Sequence, residues 1–282
     1  MDKKKYMQIR QTLKFKRRLV PILRHILIDA ALLGLCTVFI QKELPLLSAP
    51  LIAILMFRNF SLMHDAVHGA VSNHRGLNDF VGTISGIICL LPFETWKKSH
   101  LQHHLWSGNI EHDPVMALRL TLPKASVGLQ NTLTFFWRNW IPILGSLQYV
   151  LFWRLSFAQL KSEPSPKLIF SIVTTFGAAV CLALLVPTLP LILALAPGLF
   201  LYLLAVEVVN FPHHLQLPAV TGERRFALWD QHATARTCLY PRWFARHFIL
   251  NFNFHAEHHM YPDAPWYYLE EIAKKTFHKY NF

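Results

Sequence analysis

Charge is scarce in this chain. Asp, Glu, Lys and Arg make up 16% of its 282 residues, against roughly a quarter in soluble domains. With 53% hydrophobic residues and a mean hydropathy of +0.29, the shortage argues against a water-soluble enzyme and for one integral-membrane domain over residues 1–282. Acidic residues are scarcest, 16 Asp and Glu against 28 Lys and Arg, for a net charge of +12. No aromatic-basic module accompanies that charge, so nucleic acid is not an expected partner. Nine of the Lys and Arg residues fall in the first 24 positions, beside the first apolar run. Their placement predicts a basic cytosolic arm over 1–19 lying against anionic lipid, and its length without a small-residue cleavage site argues against a removable signal. Cysteine is equally sparse. Cys36, Cys89, Cys181 and Cys238 form no CxxC pair, which argues against an iron–sulfur or rubredoxin-type site. Cys36 and Cys181 sit in apolar runs and read as small core hydrophobes. There is no GxGxxG fingerprint for a nucleotide cofactor. Electrons for any redox reaction are therefore expected from another protein.

Histidine, by contrast, is plentiful, and most of it is clustered. His64 and His68 lie in HDAVH, His100, His103 and His104 in HLQHH, and His255, His258 and His259 in HAEHH. On a helix, positions i, i+3 and i+4 share a face, so each cluster can present imidazoles together. Neutral imidazole is the commonest protein ligand for iron or zinc. Eight clustered histidines exceed the roughly four ligands of one tetrahedral zinc. Two metals sharing them fit better.

Long apolar runs supply the scaffold. Residues 168–186 are uncharged and long enough to span a bilayer. The PTLP break at 187–190 follows, then a second run over 191–206. An earlier pair is expected over about 20–41 and 45–64, separated by QKELP. Both tight loops are nearly free of Lys and Arg, which places both termini in the cytosol. The runs 80–93 and 139–153 are short for a span and read as re-entrant, interfacial or buried. The second, flanked by Trp137, Arg138, Trp140, Trp153 and Arg154, reads as a helix lying in the interface. Parity supports this. Four crossings leave all three histidine clusters on the cytosolic side, whereas a crossing by 80–93 would separate the first from the second. The fold class is thus an all-α membrane protein, two helical hairpins under a cytosolic histidine-rich cap.

HDAVHGAVSNHRGLND, WKKSHLQHH with the following HDP, and NFNFHAEHHMYPDAPWYYL resemble the three histidine boxes of the membrane fatty acid desaturase and hydroxylase superfamily, closest to its acyl-lipid desaturase branch. The resemblance covers about residues 45–272. It implies a di-iron (Fe2+) centre on the cytosolic side, dioxygen as co-substrate and a long-chain fatty acyl substrate drawn from the bilayer. Desaturation is the expected reaction; hydroxylation or other oxygenation, decarboxylation to a terminal alkene, and non-enzymatic lipid or metal binding are the alternatives. It also implies an external electron donor of ferredoxin, rubredoxin or cytochrome b5 type. The expected location is a bacterial inner membrane ahead of the endoplasmic reticulum. In this family an Asn followed four residues later by His often supplies a further ligand, and Asn210 with His214 matches that spacing. His214 is therefore preferred to His213 as the ninth ligand.

Metal-bound imidazoles usually donate their second N–H to a carboxylate or carbonyl. Asp65, Glu94, Asp113, Glu207, Asp230 and Glu257, with Asn210, are the candidates for such support. His112, His74, His232 and His247 are weaker, and His25 and His278 read as ordinary interfacial or surface residues. Asp29 and Arg58 fall inside apolar spans, where charge usually marks a function or a partner; Arg58 can alternatively snorkel to the interface. Lys97, Lys98, Arg242 and Arg246 flank the boxes and are the candidate docking face for an acidic electron carrier.

Overall fold

The computed structural model describes residues 1–116, 124–186 and 188–276. His278 and Pro187 of the PTLP break lie outside these residues. The helices are α1 (Lys3–Leu13), α2 (Leu19–Gln41), α3 (Ser48–Val67), α4 (Arg75–Ile88), α5 (Phe93–Trp106), α6 (Val127–Arg138), α7 (Ile143–Ser162), α8 (Pro166–Leu185) and α9 (Thr188–Asn210), followed by the short α10 (Arg242–His247), α11 (His255–Met260) and α12 (Trp266–Thr276). Among the described residues no strand forms, only an isolated bridge between Asn109 and Val220. The protein is all-α, as its sequence predicts.

Four stretches are long and apolar enough to cross a membrane: Leu19–Gln41, Pro45–Val67, Pro166–Leu185 and Leu189–His213. They match the expected hairpins to within a few residues. Only the second is mostly enclosed by protein, 61% against 11%, 22% and 22% for the others, so α3 is the central helix. The outer helices leave Leu19, Phe170, Leu184 and Leu185 exposed, as lipid-facing surfaces do. Gly198 on α9 lets that helix press against α3. A Cβ there would lie 2.7 Å from Ile52 Cγ2.

The short apolar runs become bent helix pairs. Helices α4 and α5 meet at 108°, and α6 and α7 at 111°. Pro92 and Pro142 start the second helix of each pair, where a missing N–H costs nothing. The first elbow closes on Gly82, whose hydrogen leaves room for the Phe93 ring. His68 Nε2 and His100 Nε2 are 3.0 Å apart, so the run 80–93 between them leaves and returns to the same side. The run 139–153, read as re-entrant, interfacial or buried, is not one continuous helix. Its first residues form the break, with Trp140 at φ 57°, and the rest open a helix that continues to Ser162.

Four further expectations need correction. The basic arm is not simply laid on lipid: α1 folds over the cap, with Tyr6 stacked on Tyr261 at 4.6 Å and Arg10 paired with Asp263 at 2.6 Å. Burying Tyr6, Ile9 and Phe15 contributes roughly 1.5–3 kcal/mol for each side chain, which holds the arm there. Arg58 does not snorkel. It is 1% exposed and meets Asp29 at 2.5 Å. His25 is no surface residue either, since it is buried between Asp29 and Arg58. Of the two cysteines read as core, Cys36 is buried whereas Cys181 faces outward from α8.

Candidate metal centre

Each histidine box is delivered by a helix end. His64 lies in the last turn of α3 and His68 at its C-cap. His100, His103 and His104 project from α5, and His255, His258 and His259 from α11. His214 follows a 3-10 turn, Phe211–His213, that Pro212 opens beyond α9. All nine predicted ligands come together, in two adjoining groups. His64, His68, His100, His104 and His258 form one; His103, His214, His255 and His259 form the other. Within each, one nitrogen per residue lies within 4.8 Å of all the rest.

The HxxHH boxes divide by helical geometry. In α5 the i, i+4 pair His100 and His104 serves the first group, while His103 turns to the second. In α11 the assignment reverses, with His255 and His259 in the second group and His258 in the first. The groups touch where His104 stacks on His259, centroids 4.2 Å apart, while His103 Nε2 and His259 Nε2, 3.2 Å apart, meet within the second group.

These spacings fit bound metal. His68–His100, His104–His258 and His214–His255 Nε2 atoms are each 3.0 Å apart, and His255–His259 3.2 Å. Ligands about 2.1 Å from one ion at octahedral corners would stand about 3.0 Å apart. Burial removes competing protons. His68 and His214 are pushed down to about 3, chiefly by burial. His100, His104, His255, His258 and His259 are held well below the usual range by burial and by neighbouring imidazoles. Neutral imidazole is the ligand form. His104 Nδ1, His255 Nδ1 and His258 Nδ1 are buried without a partner.

Three imidazoles are oriented from behind. Asp113 Oδ1 lies 2.8 Å from His103 Nδ1, the Thr234 carbonyl 2.8 Å from His214 Nδ1, and Gln231 Oε1 3.1 Å from His259 Nδ1. Gln231 also donates to the His104 carbonyl at 3.0 Å. Gln231 and Thr234 have no sequence signature beyond their place in a polar loop.

The other candidate supports stand elsewhere. Asp65 accepts the Trp266 N–H at 2.8 Å and is 3.9 Å from His64 Nδ1. Glu257 is buried and accepts from Thr237 Oγ1, its carboxyl raised to about 7 by burial. Glu207 turns away to accept the Gly145 N–H at 3.0 Å. Asp230 faces the chain N-terminus at 3.7 Å, one position from Gln231, which does reach the cluster. The Glu94 backbone N–H donates to Ser171 Oγ at 3.2 Å, and Asn210 is half-buried at the end of α9. His112 packs on Trp106 instead of the cluster. His74 is exposed ahead of α4, and His232 lies beside Met1. His213 is buried and stacked on His255 at 4.6 Å but belongs to neither group. The four docking candidates are engaged in ion pairs: Lys97 with Asp79 at 2.5 Å, Lys98 with Glu163 at 2.5 Å, and Arg242 and Arg246 with Glu270 at 2.8 and 2.6 Å.

An all-helical scaffold with four membrane-length apolar helices, burying two carboxylate-free imidazole groups, defines a histidine-box membrane protein. Residues 44–281 match the Fatty acid desaturase family, and the chain belongs to it. Among relatives, it is 38% identical over 71 residues to a Delta(12) fatty acid desaturase of Calendula officinalis, covering 25% of this chain and 17% of that protein. It is 26% identical over 224 residues to an sn-1 oleoyl-lipid 12-desaturase of Arthrospira platensis, covering 74% and 62%. It is 25% identical over 218 residues to a beta-carotene 4-ketolase of Protosiphon botryoides, covering 76% and 48%. The matches thus span less than two thirds of each relative's length.

Proposed function

We propose that this chain is a membrane di-iron oxidoreductase that uses dioxygen to introduce a double bond into a long fatty acyl chain. The observation that carries the reading is the pair of adjoining imidazole groups. A single zinc site takes about four ligands and would leave more than half of the nine histidines without a role. Carboxylate-bridged di-iron bundles are built from Glu and ExxH motifs, and neither group here contains a carboxylate. When bound, two Fe2+ ions supply the reduction of dioxygen and the oxidising power that an unactivated C–H bond demands.

The chain's own residues prepare that chemistry. Nine imidazoles converge as nitrogen donors, and Asp113, Thr234 and Gln231 fix three of them in orientation. On the membrane side, Trp96 stacks on His100 at 4.6 Å and meets Phe60 edge-on at 5.7 Å. Both line a small, partly open cavity with Tyr149, Phe152, Tyr202 and Val206. Its largely aromatic and aliphatic lining is of the kind an acyl chain packs against. In balance, two adjacent CH2 groups lose one hydrogen each, and dioxygen takes these with two electrons and two protons to leave two waters. The electrons come from an external donor of ferredoxin, rubredoxin or cytochrome b5 type. Both termini and the cluster are cytosolic in this reading, and a bacterial inner membrane is the proposed location.

A second reading is oxygenation, which the similarity to a ketolase over 76% of the chain favours. Mass spectrometry of lipids from expressing cells separates the two. The proposal expects products short of two hydrogens; products carrying one added oxygen would establish the second reading. Elemental analysis after anaerobic loading should find about two irons per chain, and one tight zinc with no second site would defeat the di-iron assignment.

A further inference from the structure

Helix α3 carries more than metal ligands. Arg58, Ser61, Asp65 and His68 recur at three- and four-residue intervals along one face, with His64 beside them. The three residues of this stripe that are not ligands all grip the C-terminal segment. Arg58 Nη1 donates to the His247 carbonyl. Ser61 Oγ lies 3.1 Å from the Ile249 carbonyl. Asp65 Oδ2 accepts the Trp266 N–H at 2.8 Å. Between the first two anchors and the third lies the whole third histidine box. The loop leading into it is strained, with Leu250 at φ 48° and Asn251 at φ 56°. Non-glycine residues hold such angles only where their surroundings fix them.

Arg58 is itself fixed. Its Nε meets Asp29 Oδ1 at 2.5 Å, and its Nη2 lies 3.1 Å from His25 Nδ1 and 3.3 Å from the His25 carbonyl. His25 Nε2 in turn reaches Asp29 Oδ2 at 2.9 Å, and Asn59 Nδ2 donates to the same oxygen at 2.7 Å. A buried ion pair in an apolar span is expensive unless its polar atoms are satisfied, and here each branch of the guanidinium has a partner. Joining α2 to α3 would need only Asp29 and His25. The remaining branch of the fork reaches out of the span to the segment that carries the third box.

We propose that Arg58 is a positioning residue of the metal centre, acting through the His247 carbonyl with Ser61 as a second anchor, and sets where the third histidine box falls. That box supplies two of the four nitrogens in the His103, His214, His255 and His259 group, and one of five in the other. Loosening the anchors weakens the four-histidine position first. Only this last step rests on the metal reading.

The test uses the full chain in detergent, as wild type, Arg58→Met, Arg58→Lys and Ser61→Ala. Amide hydrogen exchange on metal-free protein should speed up across 247–260 in both Arg58→Met and Ser61→Ala, and in Ser61→Ala the spans should be unchanged. Cobalt(II) titration followed by visible absorption should give two equivalents in wild type and only the five-histidine one in Arg58→Met. Arg58→Lys should fall between, because an ammonium cannot fork between Asp29 and the carbonyl. Should Arg58→Met fail to fold, Ser61→Ala leaves the ion pair intact and should weaken the second equivalent several-fold. Wild-type exchange across 247–260, with both cobalt equivalents bound at wild-type affinity, would overturn the proposal. A wild type that takes up no cobalt would defeat the metal reading instead, leaving the exchange measurement to decide the positioning.

Discussion

His103 Nδ1 and Asp113 Oδ1 stand 2.8 Å apart with both side chains buried. The same carboxylate accepts the Gly108 and Val115 N–H groups at 3.0 and 2.9 Å. It is thus held by the backbone on one side and holds an imidazole on the other. His103 belongs to the four-histidine group, which has no spare ligand. Replacing Asp113 by Ala should therefore weaken metal binding there by about 10–100-fold, the usual effect of removing such a partner. Isothermal titration with cobalt(II) checks this. Unchanged affinity at both positions would show that the pair serves only the fold.

The neighbours His213 and His214 should separate cleanly. His214 Nε2 lies 3.0 Å from His255 Nε2, while His213 only stacks on His255. His214→Ala should abolish turnover, as His68→Ala, His104→Ala and His259→Ala should, and His213→Ala should be milder. Product formation per chain measures the difference, and the reverse order would show that the wrong neighbour was chosen.

Much of this site can be read from sequence because helical spacing is rigid. Positions i, i+3 and i+4 on α5 and α11 leave few places for imidazoles to go. What spacing cannot convey is how two helices cross, so the division of each HxxHH box between two groups emerges only in three dimensions. The spans follow from apolar length. Gln231 and Thr234 act from an irregular loop, where a one-residue offset separates Asp230 near the N-terminus from Gln231 at the cluster. His25 was hidden for a different reason. Its partner Arg58 lies 33 residues away on the neighbouring helix, a pairing that no local pattern records.

The buried imidazoles make metal-free stability depend on pH. In the unfolded chain histidine titrates near 6.5. In the fold, His68 and His214 are lowered to about 3, and five other box histidines are lowered strongly, burial being the first cause. Below the unfolded value the open chain binds protons that the folded state refuses. The stability these groups contribute is complete above pH 6.5 and drains away as pH falls towards their folded values. Each contributes a slope of up to about 1.4 kcal/mol per pH unit. The Tm of the metal-free protein should fall steeply between pH 6.5 and 5, the window opening at the unfolded histidine value. A flat profile there would mean that the imidazoles are hydrated and not buried.

Electron supply gives the last prediction, and the ion pairs rank its docking candidates. Lys98 is matched one to one with exposed Glu163, leaving no net charge. Lys97 and Lys167 share Asp79, leaving one positive charge. Arg242, Arg246 and Lys274 surround the single carboxylate of Glu270, leaving two. Unbalanced positive charge speeds encounter with an acidic carrier, and salt screens it. Purified enzyme with dioxygen and reduced nicotinamide alone should be inactive and should gain activity when a ferredoxin, rubredoxin or cytochrome b5 system is added. Arg242→Glu or Arg246→Glu should raise the KM for the carrier and flatten its salt dependence, with kcat at saturating carrier retained. Lys98→Glu should change little, since an exposed pair is worth only about 0–1 kcal/mol. Equal effects at Lys98 and Arg242 would move the docking face elsewhere, and turnover with nicotinamide alone, in protein free of other redox components, would remove the need for a carrier altogether.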